Sequence, residues 1–467
     1  MHRTTLIVAL VLLASVCASA QDPVTGFPPY GSFHQGGFDT INRQNLNVNL
    51  AIPTASTPAR GMDFQFALVY DSLLWKKATN AWVPVANQDG TPTWGWTRQS
   101  PTGSILFKTA TSNISCGVYT NYSNYVYLDP AGTRHKFSAT GAENCYGDFS
   151  GTSGFATDGS GYFLDTMADG DPNSPVIYSP SGIRVRYGGA YLYDTNGNYL
   201  NIVSGNATET DWKDTVGRTA LKVITSGSAI QYQFLDVNGA YQTVTMNLQS
   251  FSIKTNFACS GVVEYTGTAS LPVSIVLPNG QSYALTYEDT PGFSGYKTGR
   301  LKRITLPTGG FYEYQYPTTG NEGTVCSDGT VNSLTRLVND GTTSVTWQFA
   351  RSQPDSSTWK TTVTAPTLPY DTAANQTTFT FNPSGQELTQ KIYQSGETGG
   401  TLLRTINTAW ATNATLASRT VILENNQQSK VETDFDTYGN LLEMREFALG
   451  SGAPGSLVWS TKLTYLS

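Results

Sequence analysis

Residues 273–289 read VSIVLPNGQSYALTYED and residues 299–316 read GRLKRITLPTGGFYEYQY, one phrase written twice. Each half is an alternating strand, the tetrad Leu-Pro-x-Gly, and a second alternating strand rich in aromatics. Alternation of apolar and polar residues with a period of two is the mark of a half-buried strand. Pro278 and Pro307 preset the backbone at the first turn corner, and Asn279 and Thr308 follow. Gly280 and Gly309 supply the left-handed residue that closes a type I turn with a bulge. Each half therefore predicts a β-hairpin.

The same unit recurs on both sides of this stretch. It reads YVYLDPAGTRHKF from Tyr125, VIYSPSGIRVRY from Val176, YLYDTNGNYLNIV from Tyr191 and YQFLDVNGAYQTVTM from Tyr232. Beyond it come LVNDGTTSVTWQF from Leu337, TFTFNPSGQELTQKIY from Thr378 and VETDFDTYGNLLEMREF from Val431. The spacing of the turn glycines is irregular, which predicts hairpins with variable loops rather than a solenoid of fixed period. Upstream, Leu46, Val48, Leu50 and Ile52 alternate with polar residues, as do Phe64, Phe66, Leu68 and Tyr70, and the two segments read as a paired opening unit. Only DWKDTVGR, residues 211–218, predicts a short helical turn. The final LVWSTKLTYLS is again an alternating strand, with Trp459, Leu463 and Tyr465 on one face, and an unpaired strand of that kind invites association. The fold class is all-β, a large antiparallel array of hairpins over residues 109–467, preceded by a β segment with Trp-rich loops over 21–108.

Composition agrees. Of 467 residues 13% are charged, about half the usual level for soluble proteins, while 12% are aromatic. The net charge is −6 and no Lys/Arg block occurs, which argues against nucleic acid as a partner. Arg3, the apolar run Leu6 to Leu13, and Ala18-Ser19-Ala20 form the three regions of a secretory signal peptide, predicting removal of residues 1–20 and a secreted or cell-surface protein. That run is too short for a resident membrane span. Val16 before Cys17 argues against a lipid anchor. Four cysteines remain in an exported chain, allowing three connectivities. Pairing Cys116 with Cys145 and Cys259 with Cys326 brackets local hairpin-rich segments; the alternative is four buried thiols.

With these units in view, YDTNGNYL, carrying Asp194, Gly197 and Asn198, and FDTYGNL, carrying Asp436, Gly439 and Asn440, resemble the YD repeat of RHS-type proteins. The opening INRQNLNVNLAIP…RGMDFQFALVYDS resembles the start of exported bacterial members. The resemblance covers most of residues 37–447. It implies a sheet that spirals into an open shell and a structural or binding role, with a further RHS chain or another surface protein as partner. It also raises the alternative of a fragment of a toxin-enclosing shell. A DPxGxxR core segment, which in the family precedes a toxin domain, has no counterpart here, so neither self-cleavage nor an attached toxin is implied.

Signals for chemistry are sparse. His2 belongs to the signal peptide, and His34 and His135 read as surface residues, so a histidine triad or a three-histidine metal site is not expected. No GxSxG elbow or phosphate loop occurs, and no cofactor is expected. Paired carboxylates leave a glycoside hydrolase as an alternative, although no pair is singled out. Trp75, Trp82, Trp94 and Trp96, set among Gly and Pro, suit a platform on which carbohydrate stacks; cross-strand packing is the competing reading. Asp165, Asp169, Asp171 and Asn173 space like the start of a calcium loop. Ser174 occupies the position of the loop glycine and Pro180 that of the closing glutamate, so a polar turn is favoured.

Overall fold

The computed structural model describes residues 24–57, 64–87, 90–97, 102–187, 191–206, 208–317, 323–412, 414–436 and 438–465. The signal-peptide reading of residues 1–20 lies outside them. Among the described residues the regular structure is strand, with no α-helix, and no helix is long and apolar enough to cross a membrane. One sheet holds 24 strands, from Ser153–Phe155 to Leu457–Lys462, and each strand lies beside its neighbour in sequence. The sheet is thus a long antiparallel meander.

The doubled phrase is the doubled hairpin it predicts. Thr266–Val276 pairs with Ser282–Asp289, and Lys297–Thr305 pairs with Phe311–Gln315. At the first turn the Gly280 amide donates to Leu277 O at 2.9 Å and the Leu277 amide to Gln281 O at 2.8 Å. Gly280 has φ of 81° and Gly309 of 91°, where a β-carbon is strained. The YD turns add a carboxylate to this frame. Asp194 Oδ1 accepts the amides of Asn196 at 2.9 Å and Asn198 at 2.8 Å. Asp436 Oδ1 accepts those of Tyr438 and Asn440, both at 2.8 Å. The Leu-Pro turn lacks the acid, and Asn279 Oδ1 takes the Gln281 amide at 3.0 Å instead.

Residues 211–218 correct the helical expectation. Glu209–Asp214 and Thr219–Thr225 are paired strands, and Asp214 Oδ1 accepts the amides of Val216 and Arg218 across a turn closed by Gly217. This is one more turn of the Asp194 type. The local polar composition imitated a helix, whereas Asp-x-x-Gly sets the backbone.

Two further sheets cover the array. Strands between Phe33 and Thr97 form a five-stranded sheet whose Leu50, Phe66 and Tyr70 share one core with Tyr232, Leu271, Leu301 and Phe381. Phe66 and Tyr232 meet ring to ring at 5.4 Å. A second five-stranded sheet, built from strands between Ser104 and Gly151, packs Phe107 and Tyr125 against Leu164, Ile177 and Val185 at the start of the array. Cover then stops. Past residue 400, Ile406 is the only buried apolar side chain among the described residues.

The array also curls. Phe155, on its first strand, meets the ring of Tyr438, in the turn between Gln427–Phe435 and Leu441–Ser451, at 5.8 Å. No strand pairing joins those segments among the described residues, so the sheet stays open. Cys116–Cys145 and Cys259–Cys326 are disulfides, the pairing favoured from sequence.

Candidate functional site: cavities between the N-terminal arm and the open face

Residues 24–45 form an arm laid across the array. Its short strands Phe33–Gln35 and Asp39–Asn42 pair with each other, while its side chains reach strands from Ser282–Asp289 to Glu387–Gln394. Phe38 stacks on Tyr283 at 5.9 Å. Tyr312 Oη donates to Gly36 O at 2.8 Å, and Tyr314 Oη donates to Asp39 Oδ2 at 2.9 Å. Arg336 donates to Asp39 Oδ1 at 3.1 Å, with the two side chains 3% and 0% exposed. Thr361 Oγ1 donates to Arg43 O at 2.6 Å, and Ser32 Oγ to Glu387 Oε2 at 2.5 Å.

Both histidines are in this region or beside it, which corrects their surface assignment. His34 is half-buried, 4.5 Å from the Trp347 ring and 3.2 Å from Arg336. Burial first, then the positive charges of Arg336 and Arg43, push its pKa down to about 4. His135 is 3% exposed. Its Nδ1 lies 2.7 Å from Asp158 and its Nε2 3.4 Å from Asp129. Burial alone would lower its pKa, but hydrogen bonds to Asp129 and Asp158 outweigh it and hold the value at about 9. His135 is therefore a buried cation between two carboxylates, tying the hairpin at Tyr125 to the start of the array.

Two adjoining cavities open where the arm passes the uncovered strands. The first, about 470 Å³, lies between Tyr30 and Phe33 on the arm and Trp410, Arg419 and Phe435 on the array. The second, about 660 Å³, lies between Asn42 and Gln44 on one side and Arg134, Asp158 and Asp328 on the other. Tyr30, Gly31 and Ala414 border both. In the first cavity the Arg43 guanidinium sits 4.4 Å above the Phe379 ring and donates to Ser32 Oγ at 3.2 Å. Arg43 Nε is buried without a hydrogen-bond partner. Trp410 Nε1 donates to the Glu387 backbone carbonyl at 2.8 Å, fixing the indole against that strand.

The residues singled out from sequence lie elsewhere. Trp75, Trp82, Trp94 and Trp96 are 1–5% exposed. Trp75 meets Trp94 at 5.7 Å and Tyr265 at 5.1 Å, Trp82 meets Phe257 at 5.3 Å, and Trp96 meets Tyr70 at 5.2 Å. Their indole faces are packed against rings of the core, the cross-strand packing of the competing reading. The turn residues Asp194, Gly197, Gly280, Gly309, Asp436 and Gly439 shape hairpins, although Gly439 also borders the first cavity. Asp165 accepts the Met167 amide, Asp171 accepts the Asn173 amide, and Asp169 pairs with Arg186, so these oxygens are engaged within the loop. Among the described residues no cluster of His, Cys, Asp and Glu is arranged to hold a metal. Trp410, Arg43, Glu387 and Arg419 carried no signal in the sequence. Each looks like an ordinary strand or arm residue until the arm and the array meet around the first cavity.

No family model matches the sequence, and no curated protein matches it. Among solved structures, the chain is similar to a chain of the crystal structure of TcdB2-TccC3, with a TM-score of 0.27 and 10% identity over 90% of this chain and 26% of that one. It is also similar to a chain of the crystal structure of TcdB2-TccC3-Cdc42, with a TM-score of 0.24 and 9% identity over 88% of this chain and 21% of that one. This chain thus spans about a quarter of the length of these two chains.

Proposed function

We propose that the protein is an exported structural scaffold of the RHS/YD type that acts by strand addition at its open edge. The observation that carries this reading is the 24-stranded meander whose strand Leu457–Lys462 pairs on one side only among the described residues. That strand exposes Val458 and Trp459, the latter 61% exposed. Unpaired backbone beside exposed apolar side chains is a template for a further strand. The Asp194 and Asp436 turns support the repeat type, and two disulfides suit an oxidising compartment.

Sedimentation of the mature chain across a concentration series tests this reading. Self-association, or capture of a second repeat-bearing chain, is expected, and Val458→Lys with Trp459→Lys is expected to abolish it at unchanged thermal midpoint. A chain that stays monomeric and unpaired at all concentrations, with and without such a chain, would overturn it. Capture of a second repeat-bearing chain in preference to its own copy favours the second reading, one piece of a toxin-enclosing shell. A glycoside hydrolase gains nothing from the cavities. Glu387 is the only carboxylate described in the first. In the second, Asp158 is bound by His135 and the Ser160 amide, and Asp328 accepts from Thr330 through Oδ1.

A further inference from the structure

The cavity of about 470 Å³ has the size of a small-molecule site and a lining of unusual composition. Tyr30, Phe33, Trp410 and Phe435 supply aromatic walls from both the arm and the array. An aromatic face matches the apolar face of a pyranose ring. Between the walls stand side chains with planar, multiply bonding heads. Arg43 keeps a buried Nε with no acceptor, and Glu387 and Gln390 come from the strand Glu387–Gln394. Arg419 is exposed at the margin and has no ion-pair or hydrogen-bond partner among the described residues. Paired donors and acceptors of this kind suit vicinal hydroxyls.

Charge narrows the class. Two guanidinium groups face one carboxylate, and that carboxylate already accepts from Ser32. A neutral sugar would leave Arg419 without a counter-charge, whereas a carboxylated sugar gives it the planar partner that a guanidinium binds through two parallel hydrogen bonds. The strand register agrees. Arg419 lies opposite Thr408 and Val431, and Trp410 opposite Leu416, so Arg419 and the indole belong to adjacent strands bordering the same space. We propose that this cavity binds a saccharide bearing a carboxylate, with the hexuronate ring on the aromatic walls, its carboxylate on Arg419 and its hydroxyls on Arg43, Glu387 and Gln390. The site goes beyond strand addition at Leu457–Lys462, and each reading stands or falls without the other.

Calorimetric titration of the mature chain with digalacturonate, neutral galactobiose and inorganic phosphate tests it. Digalacturonate is expected to bind, and galactobiose to bind at least about tenfold more weakly, the worth of one charge-assisted contact. Arg419→Ala, an exposed position, is expected to cost digalacturonate about tenfold in affinity at unchanged thermal midpoint. Trp410→Ala should weaken both sugars, and Trp459→Ala, on the free edge, neither. Absence of digalacturonate binding would overturn the proposal. So would equal affinity for galactobiose, phosphate binding as tight as the sugar acid, or indifference to Arg419→Ala.

Discussion

A single carboxylate in the right place sets the character of a turn here. Asp194 is held below the usual carboxylate range, first by the side-chain amide of Asn198 and then by backbone amides. Asp236 is held down in the same way, first by the Ala240 amide. The titration of the buried groups is more telling. Asp71 is pushed up to about 6 by burial, so its contribution is lost as pH rises through that value. His34 is pushed down to about 4, so its contribution is gained as pH rises towards 6.5. The two oppose each other on the acid side. His135 acts on the alkaline side. Its folded pKa of about 9 lies above the ordinary 6.5, so its stabilisation is complete below 6.5 and fades as pH rises through 9. Thermal unfolding followed from pH 6.5 to 9 is expected to show a falling midpoint, and His135→Gln to flatten that fall. An unchanged slope in the variant would mean that His135 is not the titrating group. Asp129 shares a hairpin with His135, but the nearer carboxylate, Asp158, lies beyond that hairpin, and no local pattern brings it in.

Among the elements, hairpin and arm differ in how much a sequence reveals of them. A hairpin is closed by residues four or five apart, which is why Leu277 to Gln281 could be read directly, and the Asp194 and Asp436 turns with it. The turn at Asp214 obeys the same rule and escaped because the polar composition of residues 211–218 imitated a helical turn. The arm is held by contacts between residues hundreds of positions apart, such as Asp39 with Arg336, and no local pattern encodes them. The same gap explains the tryptophans. Alternation tells which residues share a face but not which face another sheet will cover. The buried Asp39–Arg336 pair gives the arm a measurable anchor. Arg336→Leu leaves a buried carboxylate without its cation and is expected to cost about 3–5 kcal/mol in urea unfolding. Adding Asp39→Leu should recover much of that loss. A cost below about 1 kcal/mol for the single change would show that the arm does not depend on this pair.

Across the whole molecule, cover is uneven. Strands between residues 200 and 381 share a core with the N-terminal sheet, whereas those past residue 400 have one buried apolar side chain among those described. Charge takes the place of cover there: Arg445 pairs with Glu432 at 3.2 Å, with Asp434 at 2.6 Å and with Glu443 at 2.9 Å. Exposed pairs of this kind contribute little individually. Amide hydrogen exchange is therefore expected to be markedly faster in 401–462 than in 266–315, because opening exposes less apolar surface there. Equal protection would mean that the backbone ladder alone holds the open strands.

The meeting of Phe155 with Tyr438 also sets two distant parts of one ribbon side by side. Leu457–Lys462 pairs with Leu441–Ser451, whose turn carries Tyr438, so a strand joined there would be added one strand away from the hairpin that touches the beginning of the array.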